Sequence, residues 1–186
     1  VVMPREENLT APGYGEPLQE VYPYVFTTYR LTEHHTAGGM SRWLPYLAEL
    51  QPEMFAEISP ELAEEVGVKN GEWATLISPR AAIEARVLVT KRFKPLNVNG
   101  HTVHQIGLPY HWGVGEDAII TGDGANDLLG ITMDPNTGIQ DSKYSSVAMI
   151  PGRRPRGPEL VDLVEKYQRE AGITLETGMQ RVTVPA

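Results

Sequence analysis

The sequence predicts a mainly β fold, a compact barrel with a few short helices. Residues 82–91 alternate between apolar and mostly polar side chains with a period of two, which is typical of a strand with one buried face. The positions expected to face inward are Ile83, Ala85, Val87 and Val89. Asn70-Gly71 and Asn99-Gly100 are tight-turn signals between further short strand patterns. Since no repeated strand–helix–strand unit is visible, a barrel is favoured over a doubly wound sheet.

The first part of the chain leads from an irregular arm into this barrel. Residues 1–20 contain several prolines and glycines and are expected to form an irregular arm. Val21–Thr28 is aromatic and β-branched, so it is predicted to be the first strand. A short helix is predicted at Ser41–Leu50, directly after the glycine pair Gly38-Gly39 and Met40.

The middle of the chain supplies the remaining barrel elements. Ser59-Pro60 provides an N-cap and a first-turn proline for a second helix, which Gly67 ends. Strands are predicted at Trp73–Ser78 and Thr102–Ile106, each after an Asn-Gly turn. His101 and His104 lack metal-ligand partners at suitable spacing and are expected to be surface residues.

The chain changes character after Pro151. Residues 152–158, GRRPRGP, have the composition of a linker, and Pro158–Ala171 has the pattern of an amphipathic helix that Gly172 ends. The remaining tail offers one weak strand signal, Arg181–Val184. The predicted organisation is therefore an arm at 1–20, a barrel domain at 21–150, and a linker, helix and tail at 151–186.

Composition excludes several classes of function. The formal net charge is −8, and Lys and Arg gather only at 91–94 and 153–156, which we expect to be solvated turns, so a nucleic-acid partner is disfavoured. No run of about eighteen apolar residues occurs, so no direct membrane insertion is expected. The chain has no cysteine, which excludes thiolate metal ligands and a cysteine nucleophile within it. The first residues lack the apolar stretch of a secretory signal, and we expect Val1 to lie within a longer chain.

A polar loop after the first strand is the strongest candidate for a ligand site. Residues 27–40, TTYRLTEHHTAGGM, combine hydroxyls, one guanidinium and two adjacent imidazoles before the glycine pair. Arg30 can bind a diphosphate with two hydrogen bonds, and the glycines let backbone amides approach anionic oxygens. The neighbours His34 and His35 are expected to point to opposite sides, so that one meets a ligand while the other anchors the loop. The alternative is a polar surface loop with solvated histidines.

A second candidate segment, Leu108–Gly113, has the sequence LPYHWG. Its aromatic side chains can stack on a planar ring system, and its histidine can donate to a ligand oxygen. The alternative is that Trp112 packs in the core and Tyr110 is half-buried beside it.

Residues 122–127, GDGAND, fit neither a calcium loop nor a dinucleotide fingerprint. Lys143 lies in a segment typical of an exposed turn. On residue types alone, both segments are predicted to be ordinary turns.

These segments, in this order, resemble the C-terminal molybdopterin-dinucleotide-binding domain of molybdenum- or tungsten-dependent formate dehydrogenases. The resemblance covers roughly residues 21–150, and its most specific parts are TEHH at 32–35 and the run 89–113 that ends in LPYHWG. It implies a six-stranded double-psi β-barrel. It places at the cofactor Thr28, Arg30, Thr32, Glu33, His34, His35, Gly39, Met40, Ser41, Tyr110, His111, Trp112, Gly113, Asn126 and Lys143.

The resemblance also implies a cofactor, bis-molybdopterin guanine dinucleotide (bis-MGD) with Mo or W, held between this domain and others. The domain would bind and orient the cofactor and would not be catalytic alone. The cysteine or selenocysteine ligand of the metal and the cysteines of the iron–sulfur clusters would lie in an N-terminal part of the parent enzyme. That part would also carry any signal that decides between cytoplasm and periplasm.

The implied partners are the remaining domains of the alpha subunit and the electron-transfer subunits of an enzyme that oxidises formate to CO2. One departure concerns the turn Ser78–Ala81, where Ala81 stands at a position that relatives commonly fill with glycine. Two alternatives stay open, because fold analogy alone does not fix function. They are a stand-alone cofactor-binding barrel that acts as a carrier or assembly protein, and the same domain from a nitrate or sulfoxide reductase.

Overall fold

A computed structural model describes residues 18–98, 100–113, 122–129, 136–139 and 143–173. Six strands form a closed barrel, and two more form a separate hairpin. The barrel strands are β1 (Tyr24–Tyr29), β2 (Phe55–Ile58), β3 (Trp73–Ile77), β4 (Ala82–Val89), β7 (Gln105–Pro109) and β8 (Tyr144–Pro151), and the hairpin strands are β5 (Leu96–Val98) and β6 (His101–Val103). The helices are α1 (Leu18–Val21), α2 (Pro45–Leu50), α3 (Pro60–Val66) and α4 (Pro158–Glu170), with single 3-10 turns at Ser41–Trp43 and Ala125–Leu128.

The strand order around the barrel is β1-β7-β2-β4-β3-β8. Two pairs run parallel, β1 with β7 and β2 with β4, and the other neighbours run antiparallel. In the first parallel pair, Thr28 lies opposite Leu108. The mainly β class predicted from the residue patterns and the six-stranded barrel implied by the resemblance are both confirmed.

The barrel encloses the main hydrophobic core. Phe26, Ile58, Leu76, Ile106 and Leu108 are completely buried in it. Burial of one such side chain contributes about 1.5–3 kcal/mol relative to exposure. Ile83, Ala85 and Val87 on β4 are buried as predicted, and Val89 is half-buried at the rim. The prediction of one buried face is wrong for the first half of the strand, because Ala82 and Glu84 on the outer face are buried as well.

Several local predictions are confirmed. The Ser59 hydroxyl accepts a hydrogen bond from the Leu62 backbone N–H at 3.1 Å and caps α3, and Gly67 ends that helix with φ of 77°. The turn at Ser78–Ala81 closes with a 2.8 Å bond from the Ser78 N–H to the Ala81 carbonyl. Ala81 does not adopt a positive φ, so this turn needs no glycine.

Other predictions need correction. The first strand begins at Tyr24 and not at Val21, because Leu18–Val21 forms a helical turn whose Leu18 packs outside the barrel. The strand predicted at Thr102–Ile106 is two strands, β6 and β7, which break at His104. His104 is no free surface residue, because its Nε2 lies 3.3 Å from a Glu65 carboxylate oxygen and its side chain is 13% exposed.

The segment after the barrel packs against it. Val164 on helix α4 and Ala171, directly after its end, are buried in a second apolar cluster together with Tyr22 and the barrel residues Ile77 and Ala148. The extent of α4 and its end at Gly172 agree with the sequence prediction. None of the helices in the described ranges is long and apolar enough to cross a membrane. The predicted arm, apart from residues 18–20, and the strand signal at Arg181–Val184 lie outside the described residues.

The two basic clusters are exposed, as expected, but their arginines also form ion pairs. Arg92 donates to both oxygens of Glu57, a buried carboxylate on β2. In the second cluster, Arg153 and Arg156 both bind Glu84, on the outer face of β4. The sequence did not reveal these ion pairs, because the fold brings the acidic residues to the arginines from distant parts of the chain.

Candidate functional site

The barrel topology brings three predicted site residues to one edge. Strands β1 and β7 run parallel, so Arg30 and Tyr110 leave the barrel side by side, and the Tyr110 N–H donates to the Tyr29 carbonyl at 3.3 Å. Strand β8 runs antiparallel to β1, so its beginning lies at the same edge. The Thr28 N–H donates to the Lys143 carbonyl at 3.0 Å and holds the lysine there.

Two cations lie close to the Tyr110 ring. The Arg30 guanidinium carbon lies 5.0 Å from the ring centroid, and the Lys143 ammonium nitrogen lies 5.4 Å from it. Both side chains are exposed, and neither forms a salt bridge with a carboxylate in the described part of the chain. A guanidinium that rests on an aromatic face keeps its in-plane N–H donors available. This edge therefore offers two positive charges to an anion.

His111 fastens the loop that carries Arg30. It is completely buried, accepts a hydrogen bond from the Leu31 N–H at Nε2 over 2.7 Å, and donates from Nδ1 to the Thr36 carbonyl. Burial lowers the pKa of His111, which the hydrogen bond to Thr36 opposes and the nearby His34 and Arg30 reinforce. The neutral imidazole that results can accept one hydrogen bond while it donates the other. His111 therefore acts on the loop and not as a free ligand-facing donor.

His34 is buried and His35 is exposed, which agrees with the expected division of the two adjacent histidines. His34 is buried and donates from Nε2 to the Gln51 carbonyl at 2.8 Å. Its Nδ1 accepts from the Ser41 hydroxyl at 3.1 Å, and that hydroxyl accepts from the His35 N–H at 3.0 Å. The His35 imidazole is exposed. One histidine thus anchors the loop, and the other faces outward.

The two glycines of the pair also differ, since one is buried and the other is exposed. Gly38 has φ of 78°, and a Cβ there would lie 2.4 Å from the His111 carbonyl oxygen, so only glycine fits without rearrangement. Gly39 is exposed, and a Cβ there would meet nothing within 4 Å. Arg42 links the loop at Gly38 to the segment that ends at Gly113, because it donates to the carbonyls of both glycines at 3.1 Å.

A third segment, 122–129, lies against the end of LPYHWG. A Cβ on Gly124 would come within 3.3 Å of Gly113, which shows how closely the two backbones pass. Asn126 lies on the 3-10 turn that follows and is exposed.

An ion pair anchors this third segment to the rest of the fold. Arg154 binds the carboxylate of Asp123 through Nε and Nη2, both at 2.6 Å, and the Glu84 N–H donates to the same carboxylate at 2.9 Å. We call Arg154 and Asp123 the 123–154 clamp. It ties the segment that carries Asn126 to β4 and to the chain beyond the barrel.

The predicted site residues fall into three groups by exposure. The exposed ones are Arg30, Thr32, His35, Gly39, Met40, Asn126 and Lys143, and the half-buried ones are Thr28, Glu33, Tyr110 and Gly113. The buried ones are His34, Ser41, His111 and Trp112, which support the loop from beneath. Trp112 packs edge-on against His34 with ring centroids 5.1 Å apart.

Sequence reasoning missed Arg42 and the 123–154 clamp. Arg42 directly follows the predicted loop, and its position after a glycine pair was an available signal. The clamp had no local signal, since its two residues are far apart in the chain.

The chemistry of this edge fits a large polar ligand with anionic and aromatic parts. The Tyr110 hydroxyl and the Trp112 indole N–H are buried and have no hydrogen-bond partner among the described residues. A buried polar group without a hydrogen-bond partner destabilises the protein by about 1–3 kcal/mol, and a hydrogen bond to a ligand atom can remove that penalty. No cluster of histidine and acidic side chains suited to a metal ion occurs within the described ranges.

Comparison with known proteins agrees with this chemistry. A family model described as the molydopterin dinucleotide binding domain matches residues 24–146. The chain is 44% identical over 124 residues to the formate dehydrogenase subunit alpha of Megalodesulfovibrio gigas, and 42% identical over 125 residues to the nitrate-inducible formate dehydrogenase major subunit of Escherichia coli. These matches cover 66% and 67% of this chain but only 12% of each relative.

A solved structure, acetylene hydratase from Pelobacter acetylenicus, is similar with a TM-score of 0.59 over 78% of this chain and 20% of that protein. Its sequence identity is 15%, so this likeness concerns the fold alone. The family model spans about two thirds of the chain and includes the edge described above. The chain therefore belongs to the molydopterin dinucleotide binding domain family.

Proposed function

We propose that Arg30 and Lys143 bind the diphosphate of a molybdopterin guanine dinucleotide at the edge formed by β1, β7 and β8. The observation that carries this proposal is the pair of exposed cations that both lie close to the Tyr110 ring, without a carboxylate partner among the described residues. Charge-assisted hydrogen bonds from a guanidinium to a diphosphate are short, directional and roughly twice as strong as neutral ones. The hydroxyl of the same Tyr110 is buried and has no hydrogen-bond partner among the described residues.

The other predicted residues divide into contacts and supports. Thr28, Thr32, Glu33, His35, Met40 and Asn126, with the backbone at Gly39 and Gly113, are the remaining candidates for direct contact. His34, Ser41, His111 and Trp112 keep the loop in the shape that this contact requires. When bound, the metal–pterin group supplies the two-electron chemistry, and this chain binds and orients it.

We further propose that the parent protein is a formate dehydrogenase alpha subunit, which oxidises formate to CO2 and passes electrons to iron–sulfur centres outside this chain. The formate dehydrogenase relatives support this assignment, and the chain spans about an eighth of their length. In that protein the cofactor is bis-MGD with Mo or W, and the partners are the other domains and the electron-transfer subunits.

We assign cofactor binding to residues 21–150, with 1–20 and 151–186 as appendages. The barrel strands support this division, because they begin at Tyr24 and end at Pro151.

The test is the dinucleotide content per polypeptide of variants made in the full alpha subunit. Arg30→Ala should lower the affinity for the dinucleotide roughly ten- to a hundred-fold, because charged hydrogen bonds contribute about 1.5–3 kcal/mol. Arg30→Lys should recover part of this loss, because it keeps the charge without the forked geometry. His34→Ala should also lower the content by loosening the loop.

His101→Ala is the matched control, because His101 is exposed on the separate hairpin. It should leave both the dinucleotide content and the thermal midpoint unchanged. If His101→Ala removes the dinucleotide while Arg30→Ala retains it, the site lies elsewhere on the barrel.

A further inference from the structure

Tyr29 is held by its side chain as well as by its backbone. It is the last residue of β1, directly before Arg30, and its carbonyl accepts from the Tyr110 N–H. Its hydroxyl donates over 2.7 Å to the carboxylate of Glu57 on β2, a residue that is 1% exposed. Strand β7 lies between β1 and β2, so this hydrogen bond spans three strands of the barrel. The end of β1 is therefore attached to a strand with which it does not pair.

Gly107 on β7 leaves room for this span. It lies opposite Thr27 of β1 and opposite Glu57 of β2. A Cβ on Gly107 would come within 2.7 Å of Tyr29 Cε1 and closer still to Phe93 Cζ, so the two rings occupy the space that a side chain would fill. Gly107 does not have a positive φ, so the reason for a glycine here is the space and not the backbone conformation. Strand β7 thus carries no side chain where Tyr29 crosses it.

Glu57 is a strong acceptor for the Tyr29 hydroxyl. Thr90 donates to its Oε1 at 2.8 Å, and Arg92 donates to both oxygens, with Nε 2.9 Å from Oε1. Burial would raise the pKa of this carboxyl group, but hydrogen bonds from Arg92, Tyr29 and Thr90 outweigh burial and lower the pKa. Glu57 is therefore ionised at neutral pH, and a hydrogen bond to a charged acceptor is roughly twice as strong as a neutral one. The Arg92 guanidinium carbon also lies 5.5 Å from the centroid of the Tyr29 ring.

Stability alone does not explain the buried carboxylate of Glu57. Withdrawing a carboxylate from water is costly, and apolar side chains of similar volume often give equal or greater stability. Apolar packing lacks the directional preference of a hydrogen bond, which weakens steeply as the bond departs from a straight line. The bond from Tyr29 to Glu57 therefore limits rotation at the end of β1. Since Arg30 is the next residue, that limit also determines where its guanidinium lies relative to the Tyr110 ring.

We propose that Tyr29, held by Glu57, is a positioning residue for the anion site and acts through Arg30. The hydrogen bond to Glu57 fixes the end of β1, so that Arg30 leaves the barrel in the direction that brings its guanidinium to the Tyr110 ring. In this role neither Tyr29 nor Glu57 touches the ligand. The inference rests on the proposed function, in which Arg30 binds the dinucleotide.

The test is the rate at which the full alpha subunit, purified with its cofactor, releases the dinucleotide after dilution. The rate is measured as the guanine nucleotide that passes a filter which retains the protein. Tyr29→Phe removes only the hydroxyl and keeps the ring that packs at Gly107, so the barrel should still fold. Release should become roughly three- to ten-fold faster, because residues that modulate binding without touching the ligand act on this scale and changes in affinity appear mostly in dissociation.

The matched control is Tyr24→Phe on the same strand. The Tyr24 hydroxyl also donates to a glutamate, Glu65, at 2.8 Å, but Tyr24 is the first residue of β1, at the opposite end from Arg30. Tyr24→Phe should lower the thermal midpoint, as Tyr29→Phe does, and leave the release rate unchanged. Equal acceleration in both variants would overturn the proposal, because the two hydroxyls would then act by stiffening the strand in general.

A double-variant cycle establishes whether Tyr29 acts through Arg30. In the Arg30→Ala background, Tyr29→Phe should not accelerate release any further, since changes within one contact network are not additive. The same acceleration in both backgrounds rejects the positioning role. An unchanged rate in Tyr29→Phe together with faster release in Arg30→Ala rejects only the positioning role, whereas an unchanged rate in Arg30→Ala rejects the cofactor site on which it rests.

Discussion

Removal of Arg154 should destabilise the barrel and release the segment that carries Asn126. The side chains of Arg154 and Asp123 are only 18% and 16% exposed, so the clamp is largely withdrawn from water. Arg154→Ala leaves the Asp123 carboxylate with the Glu84 N–H, at 2.9 Å, as its remaining hydrogen-bond donor among the described residues. Breaking a fully buried pair costs about 3–5 kcal/mol, and hydrogen bonds to charged groups are worth about 1.5–3. For this incompletely buried pair we expect the free energy of unfolding to fall by about 2–3 kcal/mol.

Urea and thermal unfolding measure this loss. For a domain of this size, 1 kcal/mol corresponds to about 2–4 °C, so the midpoint should fall by roughly 5–10 °C. Hydrogen exchange should rise at Asp127 and Leu129, whose N–H groups donate to carbonyls within the released segment. Dinucleotide content in the full subunit should fall as well, because Asn126 loses its fixed position.

The control is Arg156→Ala, whose side chain is 54% exposed and whose partner Glu84 keeps other donors. Arg156→Ala should lower the free energy of unfolding by less than about 1 kcal/mol. The double variant Arg154→Ala with Asp123→Ala should cost less than the sum of its single variants, because each removes the same contact. Additive losses, or unchanged exchange at residues 122–129 in Arg154→Ala, would refute the clamp.

Three further predictions concern the loop, acid stability and activity. Gly38→Ala should destabilise the chain by about 1–3 kcal/mol, since it combines a positive φ with a clash at the His111 carbonyl, whereas Gly39→Ala should leave unfolding unchanged. Burial alone would raise the pKa of Glu84, but hydrogen bonds and charge from Arg156 and Arg153 lower it from 4.5 to about 2. Ionised Glu84 therefore contributes its full stabilisation above pH 4.5 and loses it as the pH falls towards 2. In Glu84→Gln, the urea midpoint should depend less on pH over that range. The 186-residue chain alone should not oxidise formate, because it has no cysteine to ligate the metal or a cluster, and dye-linked turnover by purified chain would contradict this.

Local signals in the sequence were sufficient for much of the barrel. The cap at Ser59, the end of α3 at Gly67 and the inward-facing residues of β4 are each determined by neighbouring residues, so they could be predicted. Strand β2 was missed, because Phe55–Ile58 is short and places the acidic Glu57 in a buried position. That position is tolerable only because Tyr29, Thr90 and Arg92 all donate to the carboxylate, and this depends on the folded arrangement.

The candidate site, too, could be predicted from the sequence only in part. Residue types identified the loop and the aromatic segment, and adjacency predicted that His34 and His35 would diverge. Which ring would be buried was not visible, because it depends on Ser41 and Gln51 beneath the loop. Arg30 and Lys143 meet at Tyr110 only because three strand ends coincide at one edge of the barrel.

The pairing of β1 has a consequence for the order in which the chain can fold. Both neighbours of β1 come late in the sequence, since Thr28 pairs with Leu108 and Tyr24 with Val147. By contrast, β3 and β4 form a local hairpin in which Ile77 lies opposite Ala82. During synthesis the hairpin can therefore form while β1 still has unpaired edges, and the barrel cannot close until β8 has emerged from the ribosome. Contacts of such long sequence separation slow folding, typically into the range of milliseconds to seconds for β-rich domains, and leave the early strand exposed to aggregation meanwhile.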